Sequence, residues 1–470
     1  MNKNIAICWF RQDLRLSDNP ALSAASNHEN LLPIYILDKD NSGENYLGAA
    51  SKFWLHHSLE ALKKSFGGKL WIASGNPIEI LSNLIETYSI KAVYWNRCYE
   101  PWRIKRDKNI KNELSKKNLI VKTYNGSLLW EPWEIRKDDG SPYKVFTPFY
   151  RKAFSNSISP RRPLQIKVNK NIFYEADKNV GIAELNLLPN NPWVSKIKHH
   201  WKIGEKAAAA RFSQFMKHGI EDYQIARDFP SVPSLSRISP YLHFGEISPN
   251  HLWYGARLKG NNTQADLFCK QLGWREFSYS QLYYNPDLPK ENLQTKFDNF
   301  PWENNAFGFE AWTKGITGIP LVDAGMRELW NTGYMHNRVR MIVGSFLVKN
   351  LLIHWRKGER WFWDTLVDAD LANNAAGWQW VAGCGADAAP YFRIFNPVSQ
   401  AKKFDPEGRY IRKYLPELSK MPDRFLFSPW EAPEDVLANA GVELGVNYPL
   451  PVVDLKFSRE RALKSYKLIS

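Results

Sequence analysis

Two unlike domains are predicted from the sequence: an α/β N-terminal domain built on a parallel five-stranded sheet, and an all-α C-terminal domain. Two observations carry that reading. Between residues 1 and 130, short apolar runs alternate with amphipathic stretches, as expected for parallel strands joined by covering helices. Over 201–470 the apolar residues recur at helical spacing. A chain of 470 residues also exceeds one ordinary core, which favours two or three domains. The intervening 131–200 holds scattered prolines, basic pairs such as Arg161-Arg162 and little sustained periodicity, and reads as a connector wrapped over the surface.

The strands are expected at Ile5–Phe10, Leu32–Leu37, Leu70–Ser74, Ala92–Asn96 and Ile120–Tyr124. Between the first two, Asp18-Asn19-Pro20 sets a capping side chain ahead of a proline at a first helical position, and Pro77 and Pro101 open later helices in the same way. The outline is Rossmann-like, yet Gly-x-Gly-x-x-Gly and Gly-x-x-x-x-Gly-Lys-Ser/Thr are both missing, so the sheet does not advertise dinucleotide or triphosphate binding. In the second half, helical periodicity is clearest over Ala207–Met216, Gln264–Leu282, Leu321–Trp330 and Arg338–Leu352.

Lys and Arg outnumber Asp and Glu by 63 to 48, a formal charge of +15. Such a field attracts polyanions and favours a nucleic-acid partner, although a diffuse basic surface accounts for the same total. Cys8, Cys98, Cys269 and Cys384 are widely spaced and form no Cys-x-x-Cys pair, which fits neither a zinc site nor a disulfide framework and suits a reducing compartment. The apolar run Ile5–Phe10 ends at Arg11, too short for a signal-peptide core or a membrane span. The expectation is a cytoplasmic protein with no membrane partner.

Several groupings can carry chemistry. Ser234-Leu235-Ser236-Arg237-Ile238-Ser239-Pro240 combines hydroxyls with a guanidinium and suits a phosphate or pyrophosphate, or is simply a serine-rich turn. Gln271, Trp274 and Ser278 share one helical face and can grip a flat, hydrogen-bonding ligand such as a base, or an interior Trp sits beside a satisfied amide. Asn337 and Met341 share another face, from which Arg338 and Arg340 diverge. Asp368 and Asp370 are partners for Arg340, a reading favoured over a metal site because neither a nearby histidine nor EF-hand spacing accompanies them; paired-carboxylate acid/base work is left unsupported. In the run Gly385–Pro397 and just after it, Arg393, Gln400, Lys402 and Lys403 form a candidate basic rim for a nucleic-acid backbone, or a solvated face. Of 20 tryptophans most fill the core, but Trp302, Trp355 and Trp378 raise a stacking or electron-carrying role, the last in Asn373-Asn374-Ala375-Ala376-Gly377-Trp378-Gln379-Trp380.

Strung together, these segments resemble the photolyase/cryptochrome family, on the side of the class I and class III bacterial cyclobutane pyrimidine dimer photolyases. The likeness begins at Trp9–Pro20, resumes at Ser236–Leu242 and Trp274–Phe277, and continues through Val322–Arg327 and Met335–Met341 to Trp378–Pro397. It implies an N-terminal antenna domain, a helical FAD-binding domain and light-driven electron transfer from excited reduced FAD to a lesion flipped out of UV-damaged DNA. By the same resemblance Tyr223, Leu235, Ser236, Arg237, Ile238, Ser239, Arg275, Asn337, Arg340, Asp368, Asp370 and Asn374 bind FAD, Arg340 pairs with Asp368, and Asn374 sits at the flavin N5 edge. Trp378, Trp355 and Trp302 match the family's chain of electron-passing indoles.

Asn337 and Met341 match the lesion pocket of cyclobutane-dimer enzymes, where six-four photolyases carry histidines. Trp274 is then the stacking floor, with Arg227, Arg338, Arg393 and Gln400 on the DNA backbone. Gln271 departs from the Glu usual in cyclobutane-dimer enzymes and matches the six-four branch; an amide carries no titratable proton. Weaker or altered repair is expected from it. A six-four photolyase and a cryptochrome-like blue-light photoreceptor are the alternatives. The resemblance also implies a second chromophore near Tyr99-Glu100-Pro101-Trp102, with methenyltetrahydrofolate first and a deazaflavin second, and a monomer is expected.

Overall fold

The computed structural model describes residues 4–155, 159–166, 169–177, 179–188, 192–258, 263–388 and 392–469. Five parallel strands form one sheet: β1 (Ile5–Phe10), β2 (Asn30–Leu37), β3 (Trp71–Ser74), β4 (Ile90–Asn96) and β5 (Ile120–Tyr124), in the order β3-β2-β1-β4-β5. Each lies on its expected apolar run. β1 is central, pairing Ile7 with Leu32 on one side and Val93 on the other, and all its residues are buried, as a strand covered on both faces requires. The helix Pro20–Ala25 starts where the sequence places it: the Asn19 side chain accepts from Leu22 N at 3.1 Å, and Pro20 occupies the first turn. Pro77 and Pro101 open the helices Pro77–Tyr88 and Pro101–Ser115.

Strand order changes direction between β1 and β4, where open α/β sheets usually hold their ligand. Here the crevice is filled from within. Asn96 donates to Asp13 at 2.6 Å and to the Asn19 side chain at 2.7 Å, and Arg11 donates to Asp107 at 2.5 Å.

Within 131–200 the chain does more than cover the surface. It forms the helix Phe146–Ser155, short turns at Lys170–Ile172 and Ala183–Leu185, and the helix Pro192–Ile197. Phe146, Phe149, Phe173, Leu185 and Trp193 are buried in one core with the sheet and the first helices of the C-terminal half. The sequence signal is weak because a ten-residue helix between irregular segments offers few periods to read.

The C-terminal half is helical: Glu205–His218 and Thr263–Tyr284 pack largely into the core shared with the sheet, and Pro320–Thr332, Trp355–Thr365 and Leu371–Ala382 are principal members of a second core. One expectation is corrected. Arg338–Leu352 is not a single α-helix: the α-helix Asn337–Ser345 passes into a π-helical turn over Phe346–Asn350. All five residues of that turn are buried, and the wider turn carries Lys349 Nζ to the backbone carbonyl of Arg393, an arrangement that local periodicity cannot report. Among the described residues no helix is long and apolar enough to cross a membrane.

Candidate functional site: a helical cavity with an aromatic floor

Three helices supply the site. Thr263–Tyr284 presents Gln271, Trp274 and Ser278 from one face, as the three- and four-residue spacing requires. Asn337–Ser345, capped by the His336 ring nitrogen accepting from Arg338 N at 3.1 Å, presents Asn337 and Met341. Leu371–Ala382, capped by Asp370 accepting from Asn373 N at 2.9 Å, presents Asn374 and Trp378. These side chains line a single cavity of about 640 Å³, together with Arg227, Arg338, Arg340, Asp368 and Arg393. That volume falls within the ~300–1,000 Å³ of small-molecule sites.

Trp274 supplies an aromatic surface to the cavity, and Asn337 and Met341 line it as a pair, the amide nitrogen 3.9 Å from the sulfur. Gln271 accepts from Arg227 at 3.2 Å, and Arg338 is paired with Asp228 at 2.7 Å. Arg340 grips Asp368 through one nitrogen at 3.0 and 2.9 Å while Ser239 donates to the same carboxylate at 2.5 Å. Asn374 donates to Glu359, whose carboxyl is pushed up to about 7 by burial despite the opposing pull of Arg360, Asn374 and Arg356.

Other expected residues lie beyond the cavity lining. Ser239 reaches it through Asp368. Leu235 and Ser236 offer their carbonyls to Arg211 at 2.7 and 2.8 Å, and Ile238 and Tyr223 are buried in the adjoining core. Arg237 takes a left-handed backbone with φ of 47° and stacks its guanidinium 4.7 Å from the rings of Trp201 and Tyr334, leaving Nε buried without a partner among the described residues. Arg275 pairs with Glu276 at 3.0 Å. Asp370 is spent locally: it caps its helix and accepts from Tyr279. Burial raises its carboxyl, but His243, Arg275 and Tyr279 outweigh burial and hold it well below the carboxylate range. Arg393 is exposed at the cavity edge, Gln400 sits half-buried on Pro397–Phe404 outside the lining, and Ala389, Pro390 and Tyr391 lie outside the described residues.

The three indoles differ in their surroundings. Trp378 is at the cavity wall, packed on Phe362 at 5.0 Å and Trp312 at 6.1 Å. Trp355 is fully buried in the same core and donates to Asn292 at 2.9 Å. Trp302 is half-buried, and the His354 ring lies 5.0 Å from it and 5.7 Å from Trp355.

A second, small pocket of about 40 Å³ lies between β2, Pro101–Ser115 and His243, lined by Trp102, Arg103 and Arg106. Only Trp102 of the Tyr99–Trp102 run faces it: Tyr99 donates to Glu131 at 2.7 Å, and Glu100 is buried against Arg103 at 3.3 Å.

Comparison with known proteins decides the family. Residues 268–468 match the family described as the FAD binding domain of DNA photolyase, and residues 6–165 match the DNA photolyase family. A deoxyribodipyrimidine photo-lyase of Agrobacterium fabrum is 46% identical over 471 residues, covering 98% of each chain. The chain belongs to the photolyase/cryptochrome family. A photolyase framework also describes its shape: a class III photolyase from Agrobacterium tumefaciens superposes with a TM-score of 0.93 at 45% identity, covering 100% of this chain and 98% of that one. Cryptochrome-2 of Arabidopsis thaliana is 38% identical over 98% of this chain and 78% of its own length. The helical half is thus an FAD-binding domain of photolyase type.

Two residues at the photolyase site escaped sequence reasoning. Phe146 stacks on Trp274 with ring centroids 3.6 Å apart, and Glu359 holds Asn374. Neither sits in a motif, and each meets its partner through tertiary packing alone.

Proposed function

We propose that this protein is a DNA photolyase that splits cyclobutane pyrimidine dimers under light. The observation that carries the reading is that Trp274, Asn337, Met341, Asn374, Asp368 and Trp378 line one cavity.

The residues suit FAD. The cavity is large enough for a ligand of that class, Asn374 lines it, and Arg237 keeps a buried N–H without a partner among the described residues, a donor suited to a pyrophosphate oxygen. On this proposal Tyr223, Leu235, Ser236, Arg237, Ile238, Ser239, Arg275, Asn337, Arg340, Asp368, Asp370 and Asn374 would hold the cofactor. FAD, when bound, supplies light-driven one-electron chemistry at this site. The chain's own part is placement. Trp274 stacks on an extruded pyrimidine, which offsets a few kcal/mol of flipping cost by roughly 1–3 kcal/mol per base. Gln271 and Asn337 donate amide N–H groups to pyrimidine carbonyls, Met341 supplies an apolar flank, and Arg227, Arg338, Arg393 and Gln400 position the strand through phosphates without reading sequence. Trp302, Trp355 and Trp378 are the route by which electrons from outside reach the site.

Gln271 keeps a second reading alive, because an amide at this position matches the six-four branch. Illumination of the FAD-loaded protein with dimer-containing and with six-four-containing DNA separates the two. Loss of the cyclobutane dimer alone is expected; loss of the six-four lesion alone overturns the proposal, and loss of neither favours a cryptochrome-like photoreceptor.

For a second chromophore in the N-terminal domain, methenyltetrahydrofolate ranks ahead of a deazaflavin, and the pocket beside Trp102 is the candidate site. A monomer acting in the cytoplasm completes the proposal.

A further inference from the structure

Trp274 spends one face on protein. Its indole lies against Phe146 with centroids 3.6 Å apart and planes within 10°, and meets the edge of Phe277 at 5.9 Å. Phe146 is itself buried, opens the helix Phe146–Ser155 and stacks on Tyr150 at 5.5 Å. That helix comes close enough only because residue 273 is glycine: a Cβ there would meet Tyr150 at 2.5 Å. A segment far from the cavity in sequence therefore backs the cavity's aromatic floor.

We propose that Phe146 is a positioning residue that sets lesion discrimination. It fixes the plane of Trp274, so the face turned to the cavity is ready for an extruded base and little rotamer freedom remains to be lost on binding. The inference rests on the reading of Trp274 as the lesion's stacking surface. Backbone phosphate contacts do not depend on the indole plane, so damaged and undamaged DNA must respond differently.

The test measures affinity of the FAD-loaded protein for a duplex with one cyclobutane dimer and for the same duplex undamaged. Phe146→Leu keeps apolar bulk but removes the ring; dimer binding falls roughly three- to tenfold, while undamaged-duplex binding stays within about twofold. Phe146→Tyr restores the ring and the discrimination. Gly273→Ala keeps both aromatic residues but displaces the helix that carries Phe146, and produces the same selective loss. In a Trp274→Leu background, Phe146→Leu has no further effect on the ratio. Unchanged discrimination in Phe146→Leu, or parallel loss of both affinities in both Phe146→Leu and Gly273→Ala, overturns the role of Phe146. A wild-type protein that binds both duplexes equally overturns the functional reading instead.

Discussion

The side-chain amide of Asn374 donates both to the backbone carbonyl of Glu359, at 3.1 Å, and to its carboxyl oxygen, at 2.8 Å. This fixes the amide so that its own oxygen is free to turn toward the cavity. It also ties the cavity wall to a carboxyl that burial pushes from 4.5 up to about 7.

A pH dependence follows. Glu359 is neutral when buried, so between 4.5 and about 7 the folded protein holds a proton that the unfolded chain has released. Stability from this group is full below 4.5 and falls as pH rises through 7, by about 3 kcal/mol in all. Glu359→Gln removes the slope. Urea unfolding at pH 5 and pH 8 is expected to show the variant gaining on wild type at the higher pH, and a constant difference refutes the assignment.

Arg340 and Asp368 form a largely buried pair, with side chains 24% and 4% exposed. Arg340→Met leaves the carboxylate with Ser239 alone, at a cost of about 3 kcal/mol and with reduced FAD retention. Adding Asp368→Asn removes the stranded charge, so the double variant costs less than the sum of the two. Equilibrium unfolding and the flavin absorbance of purified protein measure both effects.

Gly358 faces the indole of Trp378. A Cβ there would meet Trp378 Cη2 at 2.2 Å and Leu347 Cδ2 at 2.6 Å. Gly358→Ala therefore overpacks the core by about 1–3 kcal/mol, which exceeds the ~1 kcal/mol it gains in helix propensity. Lower stability with an altered near-ultraviolet tryptophan circular dichroism is expected; a stabilised variant contradicts the close approach.

Gln271 accepts from Arg227 at 3.2 Å. Gln271→Glu turns that contact into an ion pair and gives the pocket the carboxyl usual in cyclobutane-dimer enzymes. Repair yield per absorbed photon is expected to rise. An unchanged yield shows that the amide is not what limits repair.

Local signals read well here because they act over a few residues. Pro20, Pro77 and Pro101 open helices where a missing N–H costs nothing, and β1 is apolar throughout because both its faces are covered. Gln271 with Trp274, and Asn337 with Met341, reach one cavity because helical spacing puts each pair on one face. The π-turn at Phe346–Asn350 was not legible, since it answers to a contact with Arg393 rather than to its own residues.

By itself the sequence determined the strands, the helices, the aromatic and amide groups on their faces, and, through ordered motifs, the family. Tertiary structure alone decided which faces meet: that the Trp274 and Asn374 helices close one cavity, that Phe146 backs the floor and that Glu359 anchors the wall. The reason is physical. Backbone hydrogen bonding and capping are set by near neighbours, whereas stacking partners and buried charges are chosen by packing among residues that chain order leaves far apart.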